Sequence, residues 1–221
     1  GTSLFNPEHL DSAKNKDLVL KPLKREGYKY FVGVDPAIST DGDYNVITVI
    51  EMDENENKSI VYIDRAKNVE FRENIQKVKL IGKMFRPEVI LFETNTFAKS
   101  FTQELRQVAD LNVHDFNTTR RKKQEIILNL QMTLENNKLN FPYGNEESRR
   151  TTSALIEEMS MFAITERGKF EGVGAHDDMV MSLALANAAT YQANDNFILL
   201  DDLGLFGDDK SERRNAIGLN F

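Results

Sequence analysis

Four acidic residues stand where apolar runs begin or end. Asp35 closes the run 28–34, Glu93 closes the run 89–92, and Asp177 and Asp178 open the run 179–189. Carboxylates gathered at one end of a folded core repel one another, and burial favours their protonated form, unless divalent cations sit among them. Oxygen donors of this kind select Mg²⁺ or Mn²⁺. A pair of such ions about 3.5–4 Å apart can clamp the attacking and leaving oxygens of a phosphoryl transfer, so two ions are expected. Each piece also has a plainer reading. Asp35-Pro36 fits a strand-ending turn, and Glu93 fits a solvated strand end. His176-Asp177-Asp178 fits a helix start, where acidic side chains face the positive end of the dipole. Asp41 and Asp43 read first as turn residues, with Asp41 a further candidate ligand for a second metal. The conjunction of these positions, rather than any one of them, points to chemistry.

The elements that must position these residues follow from hydrophobic period. Residues 28–34, 44–52 and 59–65 are short β-rich runs separated by turn-like segments at 41–43 and 53–57, which predicts three antiparallel strands joined by hairpins. The period then changes from two to 3.6: Phe71, Ile75, Val78 and Phe85 fall on one helical face, with Pro87 stopping the helix. Residues 89–92 form a continuous apolar run, as in a buried strand, and deliver Glu93 at its C-terminal end. Phe101, Leu105 and Val108 mark a helix, 112–116 a fifth strand, and Ile127, Leu130 and Leu134 the inward face of a helix after Thr119. Residues 138–141 are short and extended, and Leu155, Met159 and Phe162 mark another helix. Residues 165–174 hold three glycines and read as a mobile hairpin or loop. Residues 179–189 are apolar nearly all round, which predicts a helix buried on most sides. The order β-β-β-α-β-α-β-α predicts an α/β fold of the ribonuclease H-like type, a mixed five-stranded sheet of three antiparallel and two parallel strands flanked by helices. In that layout the first and fourth strands are neighbours whose C-terminal ends point the same way, so Asp35 and Glu93 converge.

Composition bounds what surrounds this core. The 221 residues suffice for one good-sized core. No apolar stretch approaches the roughly 20 residues that span a bilayer, so no membrane partner is expected. The absence of cysteine removes disulfides, thiolate zinc sites and cysteine nucleophiles, and fits a reducing compartment. Gly1-Thr2-Ser3 lacks an initiator Met and reads as a cloning remnant on a fragment of a longer protein. Residues 1–27 are expected to form a linker or arm, 28–192 the folded domain, and 193–221 an acidic C-terminal tail. A net charge of −7 repels polyanions, so any DNA contact must be local. The basic clusters are Lys21, Lys24 and Arg25, the pair Arg149 and Arg150, and the densest run, Arg120, Arg121, Lys122 and Lys123, which is the DNA-binding candidate.

Four segments in this order are Gly33-Val34-Asp35-Pro36-Ala37, Leu91-Phe92-Glu93-Thr94-Asn95, Asn140-Phe141-Pro142 after a helix opened by basic residues, and Gly174-Ala175-His176-Asp177-Asp178. Over about residues 28–192 their order and spacing resemble the nuclease domain of the large terminase subunit of tailed bacteriophages. The resemblance implies a metal-dependent endonuclease that cleaves double-stranded viral DNA during genome packaging, in the cytoplasm of the infected bacterial host. It implies Asp35, Glu93 and Asp178 as central metal ligands, Asp177 beside them and His176 near the substrate phosphate. It also implies a packaging ATPase domain of the same parent chain as partner, together with the small terminase subunit and the portal. No Gly-x-x-x-x-Gly-Lys-Ser/Thr loop occurs, so these residues would be the nuclease half. Three other readings compete. An actin-like ATPase-type phosphotransferase shares the core but needs a second Gly-rich phosphate loop, which is not seen. A non-catalytic packaging-motor interaction module would leave the carboxylates as surface features. A Holliday-junction resolvase is disfavoured by the hairpin-like segment before His176.

Overall fold

The computed structural model describes residues 2–37, 43–94, 99–172 and 176–192. Its centre is the expected set of strands. β3 (Lys29–Asp35), β4 (Tyr44–Met52) and β5 (Lys58–Lys67) run antiparallel, while β6 (Val89–Thr94) joins the other side of β3 in parallel and β7 (Val113–Asn117) joins β6. Helices α2 (Phe71–Phe85) and α3 (Lys99–Ala109) cross between them. Arg86 ends α2 in the left-handed region, at φ 47°, just before Pro87. The arrangement is the one expected from element order, but the sheet has seven strands rather than five. β8 (Leu139–Pro142) pairs in parallel with β5, and β2 (Lys14–Asn15) pairs in parallel with β8, giving the order β2-β8-β5-β4-β3-β6-β7. Segments of two and four residues carry no readable period, and only docking makes them strands.

Two further expectations are corrected. The first 27 residues are not simply an arm: β1 (Thr2–Ser3) and α1 (Pro7–Ser12) are folded, and Leu4, Phe5, Leu10 and Ala13 are buried in the main core. Phe162 does not continue α5 (Glu146–Ser160). It opens β9 (Phe162–Ile164), which pairs with β10 (Phe170–Gly172) as a hairpin, and with β1 on its other side. The hairpin turns at Gly168, where φ is +68°. Residues 193–221, expected as a tail, lie outside the described residues, as do the side chains of Phe101 and Val108 within α3.

The strand period of two sorts β3 between two cores. Tyr30, Val32 and Val34 face α2 and α3, whereas Phe31 faces the side packed by α4 (Arg120–Glu135), α5 and α6 (Asp178–Gln192). Gly33 marks where α6 lies against the sheet: a Cβ there would come within 2.2 Å of the Ser182 carbonyl oxygen and 2.4 Å of the Ala186 amide nitrogen. The Ser182 hydroxyl donates to the Gly33 carbonyl at 3.0 Å and also contacts the Thr48 hydroxyl at 2.9 Å. This close approach fixes the register of α6 on β3. One turn before Ser182, the helix starts at Asp178; two residues after Gly33, the strand ends at Asp35.

Candidate active site

Parallel pairing of Val34 with Phe92 puts Asp35 and Glu93 at adjacent places on neighbouring strands. Asp35 is buried, at 8% exposure. Its carboxyl is pushed well above the ordinary range, first by burial, then by a hydrogen bond with Glu93 and the negative charges of Glu93, Asp178 and Asp177. Glu93 also accepts from the Thr118 hydroxyl at 2.5 Å, just beyond the end of β7. Across from this pair, Asp178 Oδ2 accepts from the Tyr44 backbone N–H at 3.2 Å and lies 3.7 Å from His176 Nδ1. Burial pushes its carboxyl up too, with the Tyr44 amide opposing and the charges of Asp177 and Asp43 adding. Asp177 is held by Lys123 Nζ at 2.8 Å, and its carbonyl accepts from the Met181 N–H at 2.9 Å. Behind α6, Glu158 of α5 accepts from the Val180 N–H at 2.8 Å and satisfies a helix-start amide from another helix. Burial pushes this carboxyl up to about 7.

The structure therefore couples Asp35, Glu93, Asp177 and Asp178 electrostatically and sets His176 beside them. Asp41 lies outside the described residues. The basic run divides. Lys123 turns inward to Asp177, and Arg120 donates to the Arg167 and Gly168 carbonyls of the hairpin at 3.2 and 3.0 Å. Lys122 is exposed, with Nζ 5.7 Å from the centre of the Phe116 ring. Thr118, the Tyr44 amide and Glu158 are contributors that the sequence reading missed. Thr118-Thr119 does carry one visible signal, since Thr119 caps α4 by accepting from the Lys122 N–H at 3.2 Å.

Among the described residues, no three acidic or imidazole side chains are gathered tightly enough to form a finished cation site. The chemistry of the donors nevertheless fits a hard divalent cation. They are oxygens, and the carboxyls of Asp35 and Asp178 are both raised by burial and by neighbouring negative charge, which a positive ion would offset.

The family profile of the terminase ribonuclease H-like domain matches residues 32–189. Among solved structures, the large terminase nuclease from thermophilic phage G20c with bound magnesium is 22% identical, with 84% of this chain and 96% of that chain covered at a TM-score of 0.63. The large terminase of bacteriophage HK97 is 10% identical, covering 85% of this chain and 43% of that one at 0.62. The nuclease domain of the large terminase subunit of bacterial virus Sf6 is also 10% identical, covering 84% and 98% at 0.59. At such identities these likenesses show the fold. Among curated protein sequences none matches significantly.

Proposed function

We propose that this chain, which belongs to the terminase ribonuclease H-like domain family, cuts double-stranded viral DNA by divalent-metal-dependent phosphodiester hydrolysis during genome packaging. The observation that carries the reading is the placement of Asp35 and Glu93 side by side at the ends of adjacent parallel strands, with Asp177 and Asp178 close enough to raise the buried Asp35 carboxyl. Related nuclease structures contain magnesium, cobalt, zinc or manganese, which supports a site tolerant of several divalent ions. Asp35 and Glu93 would hold metal from the strand side and Asp178 from the helix side, with Asp177 beside it and Asp41 a candidate for a second ion. The chemistry supplied by bound Mg²⁺ or Mn²⁺ is charge stabilisation of the attacking and leaving oxygens. The protein's own part is positioning. Thr118 orients Glu93, the Tyr44 amide orients Asp178, and Lys123 orients Asp177. His176, exposed beside Asp178, would meet the substrate phosphate.

The DNA grip is assigned to the start of α4, the run Arg120, Arg121, Lys122 and Lys123, within which Arg120 also holds the hairpin carbonyls and Lys123 also holds Asp177. Such contacts read phosphate rather than base edges, so cutting is expected with little sequence preference. The remaining partners in this reading are the packaging ATPase domain of the same parent chain, the small terminase subunit and the portal, in the host cytoplasm. No helix among the described residues is long and apolar enough to cross a membrane. The test is supercoiled plasmid incubated with Mn²⁺, Mg²⁺ or EDTA. Nicked and linear products are expected with either metal and none in EDTA. Intact plasmid under all metals would overturn the nuclease reading.

A further inference from the structure

We propose that Arg65 and Lys67 form a second phosphate-binding flank, on the β5 side of the carboxylates, so that the DNA backbone crosses the site held from both sides. The inference rests on the nuclease reading and adds the direction in which substrate lies. Antiparallel pairing sets Arg65 opposite Val46 and Lys67 opposite Tyr44, while Val46 on its other side pairs with Asp35. The C-terminal end of β5 thus reaches the same sheet edge as the acidic cluster. Both cations are exposed, and both lie against one ring: the Arg65 guanidinium is 3.8 Å and the Lys67 ammonium 4.6 Å from the centre of Tyr44. That ring also meets His176 edge-on at 5.4 Å, and the Tyr44 N–H holds Asp178. The two positive groups are therefore one side chain away from a proposed ligand.

Charge and spacing give this patch its ligand. The chain carries −7 and the site itself is acidic, so a polyanion reaches it only along local cations. At the start of α4, Arg120 and Lys123 are engaged by the hairpin carbonyls and by Asp177, which leaves that flank weaker than its sequence suggests. A guanidinium stacked on an aromatic face keeps its N–H edge open for bidentate contact with phosphate. Between the ends of β5 and β7 lie four strand spacings, roughly 19 Å, or about five to six phosphates of one DNA strand along the axis. Asp35 and Glu93 stand between the two flanks.

The test uses the whole chain as wild type, Arg65→Gln, Lys67→Gln, the double variant and Arg65→Lys. Binding to two fluorescent 20-base-pair duplexes of unrelated sequence is followed by anisotropy in EDTA at several salt concentrations, with melting curves to confirm folding. Each lost cation should weaken both duplexes alike, and should flatten the slope of log affinity against log salt by about 0.9. Arg65→Lys should retain the slope. An unchanged slope in the folded double variant would overturn the second flank, as would a wild-type chain that binds neither duplex in dilute salt. A flattened slope alongside wild-type protein that leaves plasmid uncut with every metal would keep the phosphate flank and remove the nuclease reading alone.

Discussion

At the end of β3 and β4 remote from the candidate site, Glu51 is buried at 3% exposure, as deeply as Asp35 at 8%. Its surroundings differ in kind. Glu51 accepts from the Tyr30 hydroxyl at 2.6 Å and from the Arg25 guanidinium, including Nε at 3.2 Å. Nearby on β5, buried Lys58 donates to the Asn187 side-chain oxygen at 3.0 Å and lies 4.3 Å from the centre of the Tyr191 ring. Asp35 meets another carboxyl, with two more acids opposite. Burial of charge alone is therefore no mark of function. A buried acid answered by a cation and a hydroxyl organises the fold, whereas a buried acid answered by acids is arranged for a positive ligand.

Charge removal at the two ends should have crossed effects. The largest is expected for Asp35→Asn, which keeps the shape and deletes the charge best placed to hold metal. Losing about 3–4 kcal/mol of transition-state stabilisation would slow cutting roughly 10²–10³-fold. The metal-free variant should melt no lower than the parent, since one source of repulsion is gone. Plasmid cleavage beside melting curves measures both, and a normally folded variant that cuts at the parent rate would put Asp35 outside the site. A smaller and opposite effect is expected for Glu51→Gln. Weakening its contacts with Arg25 and Tyr30 should cost about 1–3 kcal/mol of stability in urea denaturation, while the cutting rate per folded molecule stays the same. A loss of activity without a loss of stability would show that the two ends are not independent.

The smallest effect is a pH dependence of opposite sign at the two ends. Asp35, Asp178 and Glu158 are all raised in the fold, Glu158 from 4.5 to about 7. Acids raised by folding stabilise while protonated, so metal-free stability should fall as pH climbs, for Glu158 between 4.5 and about 7. Lys58 is lowered by burial from 10.5 to about 8, so its contribution should be regained as pH climbs from about 8 to 10.5. Melting temperatures across these windows, with and without Mn²⁺, check the signs. Added Mn²⁺ should erase the share of the decline that comes from Asp35 and Asp178, and leave both the share from Glu158, which holds the Val180 N–H behind α6, and the second rise. A decline wholly unchanged by saturating Mn²⁺ would place its source outside the metal-binding carboxylates.

Much of this is legible in the amino-acid sequence. The β-rich run over 44–52, buried on both faces, and the period of 3.6 from Phe71 to Phe85, which records burial of one helix face, suffice to give the order of strands and helices. Asp35, Glu93, Asp177 and Asp178 stood out because each bounds an apolar run, and such boundaries lie at the edges of a sheet. Leu4, Phe5 and Leu10, scattered in a polar stretch, gave no period, and only docking against Phe162 and the helices of the main core buried them. Pairings between distant side chains were equally invisible. Thr118 meets Glu93 from 25 residues away, and Lys123 meets Asp177 from 54, turning a cation that reads as DNA-facing into a brace for an acid. Local sequence determines which face of an element is buried, because that depends on period alone. Which side chains meet across elements depends on helix docking, here set by α6 lying directly on Gly33, and only the tertiary structure decides that.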